Sequence, residues 1–507
     1  MKNAFFLILF LSTQVIAQTD IDKVRAYRKA NEHQLLDEYF EFLAIPNLAF
    51  DKRNIQRNAE YIVAMLAKRG VKAQLLPSQT IGTPPAVYGE VVVPNAKRTI
   101  VFYAHYDGQP VNPEKWNAAV KPYEPVFLSN SFEKGGKVLP KPLLTEAINP
   151  EWRISGRSSS DDKAGVMLII NAYDALVKSG IQPTCNIKFF FEGEEEIGSV
   201  HLGEILERHQ KLLQSDVWII ADGAIHQSGM RMIDFGVRGD VNMDITTYGS
   251  TRPLHSGHYG NWGPNPAMSL VKLLASMKDD DGFVTIKGYY DDIIKFTDSE
   301  KKAFADIPSV DEQLKKELGF IKPDGGGKSL FELFEYPSLN INGIRSADVG
   351  ANARNVIPTE ATVTLDLRQV LGTDYKKQIR LVTDHIKAQG FYVTDKDPTD
   401  QERQKYAKIA KINSERGGYN AQRTPIDLPI SQQVIAAIKN TTKDPIAVAP
   451  TAGGSLPLIV IEKILNARVI NLCIVNHDNN QHSENENLRL QNLWDSLEQI
   501  AALMVMK

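Results

Sequence analysis

Three consecutive glutamates stand just beyond an apolar run of the chain, in the stretch FFFEGEEEIGS. The apolar run, Ile187–Phe191, predicts a buried strand, so Glu194, Glu195 and Glu196 are expected where that strand ends. Adjacent carboxylates repel one another and are costly to remove from water. A solvated acidic loop is the alternative, but the three phenylalanines before it argue against full exposure. The sequence therefore predicts a cation beside these glutamates.

Two further groups of metal-binding residue types lie upstream. His105 and Asp107 follow the apolar run Thr99–Ala104, and Asp161 and Asp162 precede a helical segment. Taken alone, a strand-end His is more often structural, and an Asp pair before a helix fits an N-cap. Imidazole and carboxylates that converge on strand ends are, however, the ligands that zinc-like ions prefer. The combination favours a metal site.

Asp222 and His482 complete the candidate ligands. Asp222 follows another apolar run, although a turn residue before glycine is an equal alternative. His482 lies in the stretch QHSENE, where a surface role is the alternative and His477 competes for the ligand role. The carboxyl ends of parallel strands meet at one edge of a sheet. We therefore expect His105, Glu195 and Asp222 on the same edge.

Length and patterning predict the fold class. A chain of 507 residues exceeds one hydrophobic core and predicts at least two domains. A net charge of −3 gives no electrostatic basis for binding nucleic acid or anionic membranes. Strand-like runs alternate with helical segments in the first half, which predicts an α/β domain with a mostly parallel sheet and flanking helices.

The pattern changes near Gly236, where strands become half-exposed and alternate. This change predicts a smaller α+β domain with an antiparallel sheet, inserted into the first domain. We assign residues 18–237 and 411–507 to the main, catalytic domain and residues 238–410 to the insertion. The charged segment Asp279–Lys328 is expected to run over the surface.

Residues 1–17 are typical of a signal peptide. Lys2 supplies a positive start, Phe5–Leu11 forms an apolar core, and small residues precede an expected cut before Gln18. The apolar run is too short to span a bilayer, and a buried N-terminal helix is the alternative. We expect a periplasmic or secreted protein without a membrane anchor.

The two cysteines, Cys185 and Cys473, are too few for a Cys₄ zinc site. An exported protein permits a disulfide between the two cysteines. Both lie in apolar, strand-like contexts, and two separately buried thiols are the favoured alternative.

Taken together and in order, the motifs resemble those of the aminoacylase–carnosinase–dipeptidase family of dinuclear-zinc metallopeptidases. The matching stretches span nearly the whole mature chain and are His105-x-Asp107, Gly156-Arg157 with Asp161-Asp162-Lys163, Glu192–Ser199, Asp222, His255–Gly260, Asn355–Pro358, Arg368, Gly453–Pro457 and His482. The carnosinase-like branch is the most similar, because Gln109-Pro110-Val111 and Lys115-Trp116-Asn117 also match it.

The resemblance implies two divalent metal ions per chain, zinc in the first instance, with manganese or cobalt as alternatives. The implied ligands are His105 and Asp222 for one ion, Glu196 and His482 for the other, and Asp161 as a bridge between both. It also implies a cis peptide between Asp161 and Asp162. Glu195 would be the general base, and Asp107 would orient His105.

Substrate-binding residues and a partner are implied in the same way. His255, on the inserted domain, would reach the partner subunit's site and stabilise the oxyanion, and Asn355 would come from that partner too. The insertion would thus act as a lid and dimerisation domain of a homodimer. Arg368, Ser455 and Gly454 would hold the free carboxylate of the substrate.

The function that the resemblance implies is an exported hydrolase of dipeptidase or carboxypeptidase type. It would cleave dipeptides or short peptides with a free C-terminal carboxylate, using metal-activated water and a glutamate base. An N-acyl-amino-acid deacylase would use the same residues, and a metal-free binding protein or a periplasmic solute-binding protein are alternatives of another class. Departures at Val126–Trp152, Asn261 and Ala452 bear on substrate identity.

Overall fold

The computed structural model describes the backbone of residues 2–506 and the side chains of residues 20–506. The helices are α1 (Lys2–Leu43), α2 (Lys52–Lys68), α3 (Lys163–Lys178), α4 (Leu202–Arg208), α5 (Ser256–Tyr259), α6 (Pro266–Ala275), α7 (Asp298–Ala305), α8 (Asp311–Leu318), α9 (Leu330–Leu333), α10 (Tyr375–Ala388), α11 (Asp400–Lys405), α12 (Pro429–Lys439), α13 (Ile459–Leu465) and α14 (Leu490–Met504). The strands are β1 (Ala73–Leu76), β2 (Ala86–Val91), β3 (Thr99–His105), β4 (Val126–Leu128), β5 (Val138–Leu139), β6 (Arg153–Ser155), β7 (Asn186–Glu192), β8 (Val217–Ala221), β9 (Met232–Asp234), β10 (Gly236–Val237), β11 (Gly239–Tyr248), β12 (Leu254–His255), β13 (Ser338–Arg345), β14 (Val356–Ile357), β15 (Glu360–Gln369), β16 (Tyr392–Thr394), β17 (Ile409–Asn413), β18 (Gly418–Tyr419), β19 (Gln422–Arg423), β20 (Ala447–Ala449), β21 (Arg468–Leu472) and β22 (Asn487–Arg489).

The large sheet has the strand order β1-β2-β7-β3-β8-β21-β9-β20. Its central strands β7, β3, β8 and β21 run parallel to one another. The pairings of β1 with β2, of β2 with β7 and of β9 with β21 are antiparallel. The predicted mostly parallel sheet with flanking helices is confirmed. The parallel strands end together, which sets the position of the site.

Both faces of the large sheet are covered, which explains why its strands are continuous apolar runs. Along β3, Ile100, Phe102 and Ala104 face a core that includes α1, α3 and α14. Val101 and Tyr103 face the opposite core, which α4 and α13 complete. A strand buried on both faces leaves its carboxyl end as the place where a polar side chain can reach a cleft.

The second sheet contains β13, β15, β11, β17 and β16 in that order, with β18 also paired to β11. Its pairings are antiparallel apart from that of β16 with β17. Helices α6 and α10 cover one face through a separate apolar core. The predicted boundary at residue 410 falls inside β17, so the sheet extends to Tyr419. The division into domains otherwise stays a prediction.

The segment Val126–Trp152 contributes β4 and β5 to a third sheet, of order β22-β6-β4-β5. Lys134 of this segment forms an ion pair with Asp478 at 2.7 Å, and Glu133 accepts a hydrogen bond from Asn480 at 2.9 Å. The extra length therefore braces the loop that precedes His482. The segment Asp279–Lys328 forms the short helices α7 and α8 between irregular stretches.

The side chains of the predicted signal peptide, residues 1–17, lie outside the described residues. Over residues 2–506, none of the helices combines the length and the apolar character needed to span a bilayer. Cys185 and Cys473 are both buried and free. The two thiols are thus separate, as the sequence favoured.

Candidate metal centre

The predicted metal-binding side chains come together at the carboxyl edge of the large sheet. His105 is the last residue of β3, Asp222 follows β8 directly, and Glu195 and Glu196 lie in a 3₁₀ turn after β7. Asp161 stands two residues before α3, and its peptide bond to Asp162 is cis. Parallel strands end at the same level of a sheet, and the residues that follow these strands therefore lie close together.

One group of ligand atoms contains His105, Asp161 and Asp222, whose atoms all lie within 4.8 Å of one another. The Nε2 atom of His105 is 3.0 Å from Oδ1 of Asp161 and 3.8 Å from Oδ2 of Asp222. All three residues are buried. This is the set that the resemblance assigns to one ion.

A second group contains Asp161, Glu196 and His482. The Nε2 atom of His482 is 3.0 Å from Oδ2 of Asp161 and 3.3 Å from Oε2 of Glu196. Asp161 thus offers one carboxylate oxygen to each group. Gln109 donates a hydrogen bond to Oε2 of Glu196 at 2.7 Å. His477 lines the same cavity but belongs to neither group among the described residues.

The spacing and chemistry of both groups fit divalent cations. Four-coordinate zinc with bonds of about 2.0–2.1 Å separates neighbouring ligand atoms by about 3.3 Å, close to the spacing seen here. Oδ2 of Asp161 is buried and makes no hydrogen bond despite its short distance to His482. Within the described part of the chain, the ion-pair partners of Asp161, Glu195, Glu196 and Asp222 are histidines only.

The electrostatics of the site point the same way. Burial raises the pKa of Glu196 to about 8, with a further contribution from Asp161. Burial and the Asp161 charge raise the pKa of Asp222 to about 6. Burial lowers the pKa of His105, but the carboxylates of Asp107 and Asp161 beside the ring outweigh it, and the pKa rises well above its usual value. Bound cations would stabilise this cluster of buried acids.

Asp107 connects His105 to the turn that carries Glu195 and Glu196. Its Oδ1 lies 3.3 Å from Nδ1 of His105. Its two carboxylate oxygens accept hydrogen bonds from the backbone N–H groups of Glu195 at 3.1 Å and Glu196 at 3.0 Å. Asp107 therefore sets both the ring orientation of His105 and the position of the glutamate turn.

Glu195 lies beside both ligand groups without belonging to either. Its Oε2 is 3.8 Å from Nε2 of His105, and its side chain is 14% exposed. Burial raises the pKa of Glu195 well above its usual value, and the charges of Asp222 and Glu196 add to the effect. A carboxylate in this place can accept a proton from water held between the two groups.

Glu486, which the sequence reasoning did not single out, holds the loop that carries Asp161. This carboxylate is fully buried and pairs with Arg157 at 2.7 Å. It accepts further hydrogen bonds from the backbone N–H groups of Ser158, Ser160 and Asp161 and from the hydroxyl of Ser160. The sequence does contain a signal for this ion pair: Glu486 stands four residues after His482, and Arg157 stands four residues before Asp161.

The metal centre opens into a cavity of about 680 Å³. Arg368, Ser455 and Gly454 line this cavity, so the structure brings the predicted carboxylate-binding residues to the metal centre. The guanidinium of Arg368 pairs with Asp366 at 3.0 Å and lies 3.7 Å from Asp240. These acids hold the guanidinium in place at the cavity wall.

His255 and Asn355 lie together but away from this cavity. Strands β12 and β14 pair His255 with Val356, and the backbone of Asn355 accepts a hydrogen bond from Ser256 at 3.0 Å. Both predicted residues are exposed, and neither lines the cavity of its own chain.

Comparisons with known proteins agree with this architecture. A model described as Peptidase family M20/M25/M40 matches residues 101–505. The Cys-Gly metallodipeptidase dug1 of Schizosaccharomyces pombe is 25% identical over 489 residues, which cover 93% of this chain and 95% of that relative. The Beta-Ala-His dipeptidase of Homo sapiens is 25% identical over 431 residues, which cover 84% of this chain and 77% of that relative.

Among solved structures, the M20 family metallo-carboxypeptidase Sso-CP2 from Sulfolobus solfataricus superimposes with a TM-score of 0.75 at 25% identity. The match covers 93% of this chain and 98% of that chain. The family resemblance carried by the sequence motifs is thereby confirmed.

Proposed function

The chain belongs to peptidase family M20/M25/M40, and we propose that it is a metal-dependent exopeptidase that hydrolyses dipeptides or short peptides with a free C-terminal carboxylate. The observation that carries this proposal is the pair of ligand groups that share Asp161. The proposed catalysis needs a metal pair and a base, and we assign the base to Glu195, whose Oε2 is 3.8 Å from Nε2 of His105. The names of the dug1 and human relatives support a dipeptidase.

Two divalent ions would be held by His105, Asp161, Glu196, Asp222 and His482, and we propose zinc as the native metal. When bound, such ions act as Lewis acids and lower the pKa of water into the neutral range. Manganese and cobalt accept the same nitrogen and oxygen ligands. Metal analysis of the protein as purified would decide between them.

In this proposal the side chains divide the work. Glu195 accepts the proton of the attacking water and returns it to the leaving amine. Asp107 keeps His105 in one orientation through Nδ1. Arg368, with Ser455 and the backbone at Gly454, holds the C-terminal carboxylate of the substrate, a task suited to the two parallel N–H groups of a guanidinium.

We further propose a homodimer in which His255 of one subunit completes the site of the other. The Nδ1 atom of His255 accepts a hydrogen bond from Gly257 at 3.1 Å, which leaves a proton on Nε2 for donation to an oxyanion. Nearby apolar side chains support an interface, because Trp262, Met268 and Val271 are 81%, 54% and 51% exposed.

We also propose that the protein is exported and that its mature chain begins at Gln18. The support is the sequence pattern of residues 1–17. Expression of the full-length gene, followed by cell fractionation and intact-mass measurement, tests this. An exported chain lacking those residues is expected, and a full-length chain confined to the cytoplasm would contradict it.

The metal-dependent activity is tested with purified protein and a panel of dipeptides. Dialysis against a chelator should abolish hydrolysis, and added zinc, manganese or cobalt should restore it. Asp161→Asn should lower the metal content, since the amide leaves one group without its oxygen and removes the negative charge that both groups share. Asp216→Asn, an exposed change at the opposite edge of the sheet, is the matched control. Hydrolysis that survives complete metal removal would refute the proposal.

The second candidate is an N-acyl-amino-acid deacylase. It would use the same metal ligands, base and carboxylate-binding residues, so the metal centre does not separate the two activities. Parallel assays of dipeptides and of matched N-acetyl amino acids do. A dipeptidase prefers the free amino group, and a deacylase prefers the acylated substrate.

A further inference from the structure

The cavity of the metal centre contains a second polar group that the proposed mechanism does not use. Asp234 and Asn471 line this cavity together with Cys473. Asp234 is the last residue of β9, and the antiparallel pairing of β9 with β21 sets it opposite Asn471. The apolar residues Met232 and Phe331 lie on the same side.

Asp234 and Asn471 each have an oxygen atom without a hydrogen-bond donor. Asp234 is 3% exposed and Asn471 is 5% exposed. Oδ2 of Asp234 accepts from Asn471 at 3.4 Å and from the Cys473 thiol at 3.1 Å. Oδ1 of Asp234 and Oδ1 of Asn471 have no partner among the described residues. An unsatisfied buried acceptor is costly, so an unpaired oxygen on each of these two neighbouring side chains points to a missing donor.

The donor that fits is a cation. The hydrogen-bond partners of Asp234 among residues 20–506 are one amide and one thiol, neither of which carries positive charge. Burial raises the pKa of Asp234 to about 6, so the group is mainly ionised at neutral pH. An ammonium group offers three N–H donors and a full charge, and it can therefore satisfy both free oxygens.

The pair lies beside the metal centre. The amide nitrogen of Asn471 is 3.5 Å from the position that a Cβ atom on Gly223 would occupy, and Gly223 follows the ligand Asp222. A peptide substrate carries a negative charge at its carboxyl end and a positive charge at its amino end. Arg368 supplies the cation for the first, and Asp234 is a buried acid in the same cavity for the second.

We propose that Asp234, together with Asn471, binds a positively charged nitrogen on the amino-terminal residue of the substrate. This inference rests on the proposed peptidase function and makes it more specific, because it predicts selection for peptides with a cationic amino-terminal residue over N-acyl substrates. The cation is either the α-amino group or a basic side chain, which share the same chemistry.

The test is steady-state kinetics of metal-loaded wild-type and Asp234→Asn proteins on norleucyl-alanine, lysyl-alanine and their N-acetyl derivatives. The substitution keeps the shape of the side chain and removes its charge. We expect KM for the cationic substrates to rise roughly 10- to 100-fold, with a smaller change in kcat and little change for acetyl-norleucyl-alanine. Asp216→Asn serves as the control for loss of one negative charge.

The substrate panel distinguishes the two sources of the cation. Equal losses for norleucyl-alanine and lysyl-alanine assign the α-amino group, whereas a loss restricted to lysyl substrates assigns the side chain. Unchanged KM for all four substrates, or an equal loss on all four, would overturn the inference while leaving the peptidase function intact. A metal-loaded wild-type protein that cleaves none of them would refute the proposed function and this inference with it.

The wild-type protein provides a second test that does not depend on the folding of a variant. Its kcat/KM should be at least about 10-fold higher for the cationic substrate than for the matched uncharged one. Equal kcat/KM values for all four substrates would overturn the inference, because neither the α-amino group nor the lysyl side chain would then be recognised. Thermal unfolding and metal content of Asp234→Asn establish whether that variant retains the native fold.

Discussion

The side chain of Glu486 accepts a hydrogen bond from the backbone N–H of Asp161 at 3.0 Å, across 325 positions of sequence. The shared ligand of both metal groups is thus held by a residue of the C-terminal loop that also carries His482. Arg157 donates to the same carboxylate at 2.7 Å, with both side chains buried. Two of the three segments that contribute the second ligand group, those of Asp161 and His482, are therefore fixed to each other.

Glu486→Gln should destabilise the protein and weaken metal binding. Removing one partner of a buried ion pair leaves the Arg157 charge uncompensated, which costs about 3–5 kcal/mol. Because the Asp161 loop loses its support, metal affinity should fall about 10- to 100-fold. Chemical denaturation and metal titration measure the two effects. Glu484→Gln, two residues away and partly exposed, should change neither, and a Glu486→Gln protein with wild-type values of both would contradict the role.

Glu195→Gln should lower kcat about 10²- to 10⁴-fold, the range typical of a lost general base. Metal content should stay at the wild-type level, because Glu195 belongs to neither ligand group among the described residues. The adjacent variant Glu196→Gln is the contrast, since it replaces a charged ligand of the second group by a neutral amide and should lose metal. Kinetics and metal analysis on the same preparations check both. Loss of metal from Glu195→Gln would contradict these assignments, because it would make Glu195 a metal ligand rather than the base.

The carboxyl edge of the large sheet was predictable from sequence because parallel strands end at one level. His105, Glu195 and Asp222 each follow an apolar run, and each lies at the metal centre. The strand and helix patterns were strong there: α3 (Lys163–Lys178) begins directly after Asp162, where a helical segment was predicted, and β8 (Val217–Ala221) is the apolar run that precedes Asp222. The ends of buried strands and of capped helices depend on residues that are close in the sequence, so the sequence predicts them.

Contacts that depend on strand register were not predictable. Asp234 lies on the three-residue strand β9, which is too short to show a period, and its partner Asn471 is 237 positions away. Glu486 resembles a surface acid until the β6–β22 pairing places it under the Asp161 loop. The predicted insertion boundary at residue 410 falls inside β17 for a similar reason, because the pairing of β17 and β18 with β11 joins segments that are far apart in the sequence.

Arg368→Lys should raise KM about 10-fold for peptides with a free C-terminal carboxylate. An ammonium cannot reproduce the two parallel N–H groups that a guanidinium presents to a carboxylate. Asp366 and Asp240 already hold the group at the cavity wall, so the charge of the lysine would remain there and kcat should change less. Kinetics on matched free and C-terminally amidated dipeptides provide the measurement.

The amidated peptides separate recognition from general damage. Wild-type protein should cleave them poorly, and Arg368→Lys should not weaken their hydrolysis further. Arg416→Lys is the control for the replacement of a guanidinium by an ammonium, because Arg416 is exposed. An equal loss on free and amidated substrates would show that Arg368 does not bind the carboxylate.

His255 and Glu195 should complement each other between subunits. His255 is exposed and does not line the cavity of its own chain, so in a symmetric dimer it would serve the partner's site. His255→Ala and Glu195→Gln proteins should each be nearly inactive alone. In a mixed dimer, one of the two sites has both residues, and random exchange should restore about a quarter of wild-type activity. Activity is measured after mixing differently tagged proteins and verifying heterodimer formation.

A mixture of Asp161→Asn and Glu195→Gln is the matched control for this complementation. Both residues belong to the same chain's cavity, so every site in their mixed dimer lacks one of them and no activity should return. Recovery with His255→Ala but not with Asp161→Asn would place His255 across the subunit boundary. Full activity of His255→Ala alone, or heterodimers of His255→Ala and Glu195→Gln without recovered activity, would refute the shared site.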